Sequence, residues 1–251
     1  MREKLIALSI VKKGNWVEMN KILQQDRNLD LISNDAAVAL VEKLNCDVVT
    51  IVDSEYPEIW HDMPKPPFVV YLKGNTSLLE RPIISIIGGK VVTRYTKNSV
   101  KDILKQLPED ISIVSGLEQG VELLSSEYGK NQILCVGTGF NQDKIYKNND
   151  AFNKVASEGL LISELPPNAK FDRSAYYRSY RLISELSHVI CVFEMASFDL
   201  RLKYLSYLAE IGKEIVVLPD RKRLQTEGGL NLLSIGAKPL IGVNDVLSKL
   251  G

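Results

Sequence analysis

The chain is poor in the residues that most often carry nucleophilic or metal chemistry. Among 251 residues there are two histidines, His61 and His188, and three cysteines, Cys46, Cys135 and Cys191. The cysteines are odd in number and have no metal-ligand spacing, and two of them lie inside apolar runs. A disulfide framework and a zinc site are thereby excluded, and the cysteines read as small buried hydrophobes in a reducing compartment. Neither histidine falls at a strand exit beside a serine, so serine hydrolysis lacks its base. No apolar run approaches the ~20 residues of a membrane span. The opening MREKLIALSIVKKGNW is too short in its apolar part, too charged after it and without a cleavage site, which excludes a signal peptide and points to a cytoplasmic protein. Charge of one sign is also missing, since Lys plus Arg and Asp plus Glu stand at 31 each. The field of the whole chain therefore attracts no polyanion, and any such site must be a local cluster.

What the chain does have is a series of apolar runs closed by glycine. The run IISIIGGK (83–90) is followed by apolar residues at helical spacing, Val100, Ile103, Leu104 and Leu107. The order is strand, glycine turn, helix. ISIVSGLEQG (111–120) and ILCVGTG (133–139) repeat that punctuation. Strands are expected at 83–87, 111–114, 132–136, 160–163, 189–194 and 214–218, with a last one near 239–243 and a closing helix from Asn244. Alternation of strand and helix argues for an α/β fold with a doubly wound, mainly parallel sheet. Residues 1–46 read as three short helices, the third capped by Ser33 or Asn34, packing on the rest of the chain. Residues 47–80 supply two strands around a turn and a short helix. The expected domains are thus a small helical one at 1–46 and an α/β one at 47–251.

Glycine-closed strands that share an edge suit phosphate, because their amides and a helix N-terminus approach oxygen closely. Gly88, Gly89 and Lys90, then Ser115 and Gly116, then Gly139 are the candidates for such a rim. GGK is no Walker loop, since the long glycine spacing and the following Ser or Thr are missing, and no cofactor or metal is expected. Lys144 and Lys147, around Tyr146, form either a cationic edge or an ordinary loop. The segment RSAYYRSYRLISELS (173–187) interleaves Arg173, Arg178 and Arg181 with Tyr176, Tyr177 and Tyr180. It reads equally as a stacking and phosphate-binding face or as an amphipathic helix. Glu164 and Glu194 end strands and read as acceptors for loop amides rather than as a catalytic pair.

Taken in order, YPEIWHDMPKPPFVVYLKGN, IISIIGGK, IVSGLEQGVE, CVGTGFNQDKIY, GLLISELPP, YYRSYRLISELSHVICVFE, GKEIVVLP and GGLNLLSIGAKPLI resemble the DprA/Smf family of bacterial DNA-processing proteins, over roughly residues 50–242. The resemblance implies an extended Rossmann-like domain that binds single-stranded DNA, forms a homodimer and helps load the RecA recombinase during natural transformation, without turnover. It also implies a SAM-like helical domain at 1–46. The winged-helix domain that often follows in the family is not expected within this sequence. Carried over by position, the family's Gly-Ser-Arg turn falls on Gly88, Gly89 and Lys90, and its Ser-Gly turn on Ser115 and Gly116. Its Arg-Asn-Arg falls on Ser179, Tyr180 and Arg181, with Arg178 adjacent, and Gly229, Asn231, Gly236 and Ala237 match its last motif. The acidic residue and histidine usual after the Ser-Gly turn are replaced within EQGVELLSSEY, and the Ser-Gly pair usual after Glu194 is missing from MASFDLRLKY. Those departures keep a second reading open, a nucleotide sensor or scaffold with a degenerate DNA pocket. A related phosphoribohydrolase is disfavoured, because no Pro-Gly-Gly-x-Gly-Thr segment occurs.

Overall fold

The computed structural model describes residues 1–25, 32–141, 150–171, 173–219 and 227–250. The chain divides into two compact units, the first made of Met1–Lys73, Val136–Asn148 and Leu161–Ser179, the second of Gly74–Cys135, Asn149–Leu160 and Tyr180–Gly251.

The first unit opens with helices α1 (Arg2–Val11), α2 (Trp16–Leu23) and α3 (Asn34–Val41). Asn15 caps α2 by accepting from the Glu18 N–H, and Ser33 caps α3 by accepting from the Ala36 N–H. Each cap satisfies one amide that the first helical turn leaves unpaired. Strand β1 (Asp47–Thr50), the short helix α4 (Glu58–His61) and strand β2 (Val69–Gly74) follow, with β1 antiparallel to β2. The helices do pack on this pair. Trp16 stacks on Phe68 with ring centroids 5.3 Å apart and donates to Pro66 O, while Tyr71 donates to Ser9 Oγ.

The second unit holds β3 (Ile83–Gly88), α5 (Arg94–Gln106), β4 (Ser112–Ser115), α6 (Val121–Tyr128), β5 (Gln132–Cys135) and α7 (Asp150–Glu158). Strand β6 (Leu160–Ser163) and helix α8 (Arg173–Leu186) come next. Then come β7 (Val189–Phe193), α9 (Leu202–Glu210), β8 (Ile215–Val217), α10 (Glu227–Ser234), β9 (Lys238–Pro239) and α11 (Val243–Leu247). Every residue of β3, β4, β5, β7 and β8 is buried, which is why these runs are mainly apolar instead of alternating, with Ser85, Ser112, Ser115 and Gln132 as buried polar exceptions. The exception to the expected spans is the last strand, which is Lys238–Pro239 and not 239–243, because Gly242 already leads into α11.

In the second unit the strands run in the order β5-β4-β3-β7-β8-β9, all parallel. From β3 the chain winds outward through β4 and β5, then returns to place β7 on the other side of β3 and winds outward again. The order therefore reverses between β3 and β7, and the crevice beyond their carboxyl ends is where an open α/β sheet takes its ligand. Gly88 pairs in register with Phe193 there, so GGK and Glu194 face each other across the switch point. In the first unit β1 and β2 are followed in order by β6, giving the mainly parallel α/β fold that the residue pattern implies.

Candidate functional site

The switch-point corner is filled by side chains of the protein itself. Arg201, in the turn after β7, is 5% exposed and reaches back into the crevice. One guanidinium nitrogen donates to Glu122 Oε1 at 2.7 Å. Another donates to Gly88 O and to Asp199 Oδ2, each at 2.7 Å, and Nε donates to Asp199 Oδ1 at 2.9 Å. The guanidinium carbon lies 4.8 Å from the centre of the Tyr180 ring. Tyr180 donates its hydroxyl to both oxygens of Glu122, at 2.9 and 2.8 Å, and the Glu118 N–H donates to Glu122 Oε2. Lys90 is exposed and ion-paired with Glu118 at 2.7 Å.

The charge states follow from that packing. Burial pushes the Glu122 carboxyl up to about 7, against the pull of Arg201, the Glu118 amide and the Tyr180 hydroxyl. Burial also opposes the charge on Arg201, but hydrogen bonds to Asp199 and the neighbouring carboxylates outweigh it and hold the guanidinium above its usual range. Asp199 is itself half-buried, and the same hydrogen bonds keep its carboxyl below the ordinary range. On the far side of GGK, Glu194 takes a left-handed φ of 42° and accepts at Oε1 from the Thr93 N–H (2.9 Å) and the Thr96 hydroxyl (2.7 Å). Glu194 is therefore an acceptor for a loop amide at the head of α5, as its position at a strand end suggests. Two cations, Lys90 and Arg201, meet three carboxylates here, Glu118, Glu122 and Asp199.

The rim amides are largely committed as well. The Gly89 N–H donates to Phe193 O at 3.1 Å and Gly89 O accepts from the Val121 N–H, so the turn is tied to the end of β7 and the start of α6. Ser115 is fully buried, and its hydroxyl has no partner among the described residues. Gly116 is buried against the Tyr180 hydroxyl and Glu122 Oε2. Arg181 is half-buried, and its charge acts on the Tyr204 phenol, which in turn donates to Glu185. Gly229 is buried in α10 with its N–H directed to Met195 O, whereas Asn231 is exposed. Lys144 and Lys147 lie outside the described residues. His188 accepts from the Ile83 N–H at the start of β3, whereas Ser115 closes the neighbouring strand β4, so neither forms a nucleophile pair with the other.

In the first unit Gly139 and Arg178 belong to a different feature. The Gly139 N–H donates to Ala169 O, and its Cα is pressed so closely on the Pro166 and Pro167 carbonyls that no side chain fits. Arg178 is half-buried on α8 and donates to Ser174 Oγ. Arg178 lines, and Gly139 ties through Ala169, a cleft of about 920 Å³ bounded by α1, the end of α3 and the 165–170 segment. Sequence reasoning missed Glu118, Glu122, Asp199 and Arg201. The signal was present in the departing segments themselves, since EQGVE and DLR bring acidic residues and an arginine that can pair with one another.

A model of the family described as DNA recombination-mediator protein A matches residues 47–251. The chain belongs to that family. Protein Smf of Synechocystis is 28% identical over 258 residues, covering 98% of this chain and 64% of its own length, so the chain spans under two thirds of that relative. DNA processing protein DprA of Streptococcus pneumoniae is 23% identical over 205 residues, 80% of this chain and 73% of its own. In fold, the chain is similar to the crystal structure of Streptococcus pneumoniae DprA, with a TM-score of 0.79, 21% identity, and coverage of 100% of this chain and 94% of that one. It is similar also to Helicobacter pylori DprA, a structure described for its single-stranded DNA binding mode, with a TM-score of 0.71, 21% identity, and coverage of 83% and 96%. Among the described residues no helix is long and apolar enough to cross a membrane.

Proposed function

We propose that the protein is a DprA-type recombination mediator that binds single-stranded DNA without turnover and assists a RecA recombinase during transformation or recombination. The reading places it in the cytoplasm as a homodimer, with a small helical domain at 1–46 ahead of the DNA-binding domain at 47–251. The observation that carries it is the family match, which begins at residue 47 and runs to the end of the chain. The switch-point edge, where Gly88, Gly89, Ser115 and Gly116 close parallel strands, has the topology of a ligand-binding rim, but the Gly89 amide is committed and Ser115 is buried, so the edge adds little to the reading. Lys90 reaches a phosphate only by leaving Glu118, so its share in binding is modest.

A salt titration of a labelled oligodeoxythymidylate against a duplex of equal length tests the reading. Tighter binding of the single strand, weakening steadily with added salt, is expected. Equal affinity for the two, or no binding of either at low salt, would overturn it. One observation favours a second reading, a sensor or scaffold whose DNA pocket has degenerated: Arg201 and its carboxylates occupy the switch-point crevice. Tight binding of a mononucleotide with none of the single strand is the result that would establish it.

A further inference from the structure

We propose that the cleft of the first unit is a phosphodiester-binding site that holds a short stretch of single strand; this rests on the single-strand reading above. Five cations line it, Lys12, Lys13, Lys43, Lys170 and Arg178, against one carboxylate, Glu18. Glu18 is taken by Lys12 at 3.4 Å. Lys13, Lys43 and Lys170 are exposed and have no carboxylate partner among the described residues. In a chain of 31 positive and 31 negative side chains, a local excess of this kind is the cluster that a polyanion requires.

Both walls are held in place before any ligand arrives. Lys13 adopts φ 53° and Gly14 φ 69°, two consecutive left-handed residues that turn the chain out of α1. The left-handed region costs a residue with a side chain about 1–2 kcal/mol. The turn is secured by the Gly14 N–H donating to Ser9 O, and Gly14 lies too close to Glu164 O for any side chain at that position. The facing wall is tied by Asn141 N–H to Pro167 O, Gly139 N–H to Ala169 O and the Ser163 hydroxyl to Thr138 O. A site with fixed walls loses less entropy on binding.

The floor is apolar, with Leu40, Leu44, Leu165, Pro166 and Pro167. At about 920 Å³ the cleft has the size of a small-molecule pocket, which suits a flexible strand laying sugar and base faces on the floor while its phosphates meet the rim. Arg178 contributes the forked donors that suit a phosphate, and the three lysines act as point charges.

The test uses the full chain, a fluorescein-labelled oligodeoxythymidylate and anisotropy across a salt series. The triple variant Lys13→Glu, Lys43→Glu, Lys170→Glu changes exposed side chains only, and a matching circular dichroism melt shows that it is folded. An affinity loss of at least about tenfold is expected, with a salt slope shallower by about 2, since each lysine that neutralises a phosphate contributes ~0.7 to it. Lys43→Glu alone is expected to weaken binding by about two- to threefold, and it serves should the triple variant fold poorly. Unchanged affinity and slope in the variants, with wild type binding DNA, would reject the cleft and leave the single-strand reading standing. Absence of binding by wild type would remove that reading and the cleft with it. Displacement of the strand by polyglutamate at equal charge concentration would overturn the phosphodiester assignment in favour of an acidic peptide.

Discussion

The switch-point corner of the second unit and the cleft of the first both hold cations, yet they use them in opposite ways. In the corner, Arg201 is buried and every nitrogen that reaches the crevice is matched by a carboxylate or a carbonyl. In the cleft, Lys13, Lys43 and Lys170 stand in solvent. Burial explains the difference, because a charge removed from water must be paired, whereas an exposed lysine keeps its hydration and can remain available. A cation near a glycine turn is therefore not by itself a ligand site. Its exposure and its carboxylate neighbours decide whether it serves the fold or a partner.

The sharpest way to break this contrast is at Arg201. Arg201→Met is expected to destabilise the fold by about 3–5 kcal/mol in denaturant unfolding, because Glu122 and Asp199 lose a buried partner together. The loss should be smaller at pH 5 than at pH 8, where Glu122 must carry its charge. A next test concerns Glu122 in the intact protein. Its carboxyl is raised from 4.5 to about 7, so the folded state holds a proton that the unfolded state releases, and this contribution to stability is full below about pH 4.5 and lost as pH rises through about 7. Glu122→Gln should flatten the stability profile in that window by roughly 1–3 kcal/mol. Tyr180→Phe removes the hydroxyl shared by both Glu122 oxygens while keeping the ring over Arg201, and a loss of about 1–2 kcal/mol in the same unfolding measurement is expected. The smallest effect belongs to Lys90, whose ion pair with Glu118 is exposed on the lysine side. Lys90→Ala should change stability by less than about 1 kcal/mol and single-strand affinity by no more than about twofold. A large loss of affinity there would erase the contrast between the two regions.

The central strands β3, β4, β5, β7 and β8 were legible because they are buried on both faces and so read as mainly apolar runs. The helix cap at Ser33 was equally local, whereas the Asn15 cap on α2 was not singled out in the sequence. The site was less legible for a physical reason. Gly88, Glu122 and Arg201 meet over separations of 79 and 113 residues, and no periodicity within one element reports such a meeting. The amides of Gly89, Gly139 and Gly229 are open in a sequence and committed in the fold, since each donates to a backbone carbonyl of a distant segment. The partner of Tyr180, Glu122, explains why a residue with a hydroxyl fits that position, and no local pattern reports the pairing. The cleft draws on residues 10–18, 40–44 and 165–178, three segments whose charges look scattered along the chain.

The most direct measurement is a hydrogen–deuterium exchange footprint of the full chain with and without a saturating oligodeoxythymidylate. Slowed exchange is predicted in peptides covering 10–15, 40–44 and 165–171, with little change at 88–90 and 115–120, where the corner is already closed on itself. Protection concentrated at 88–90 and 115–120, with none along the cleft segments, would contradict the account.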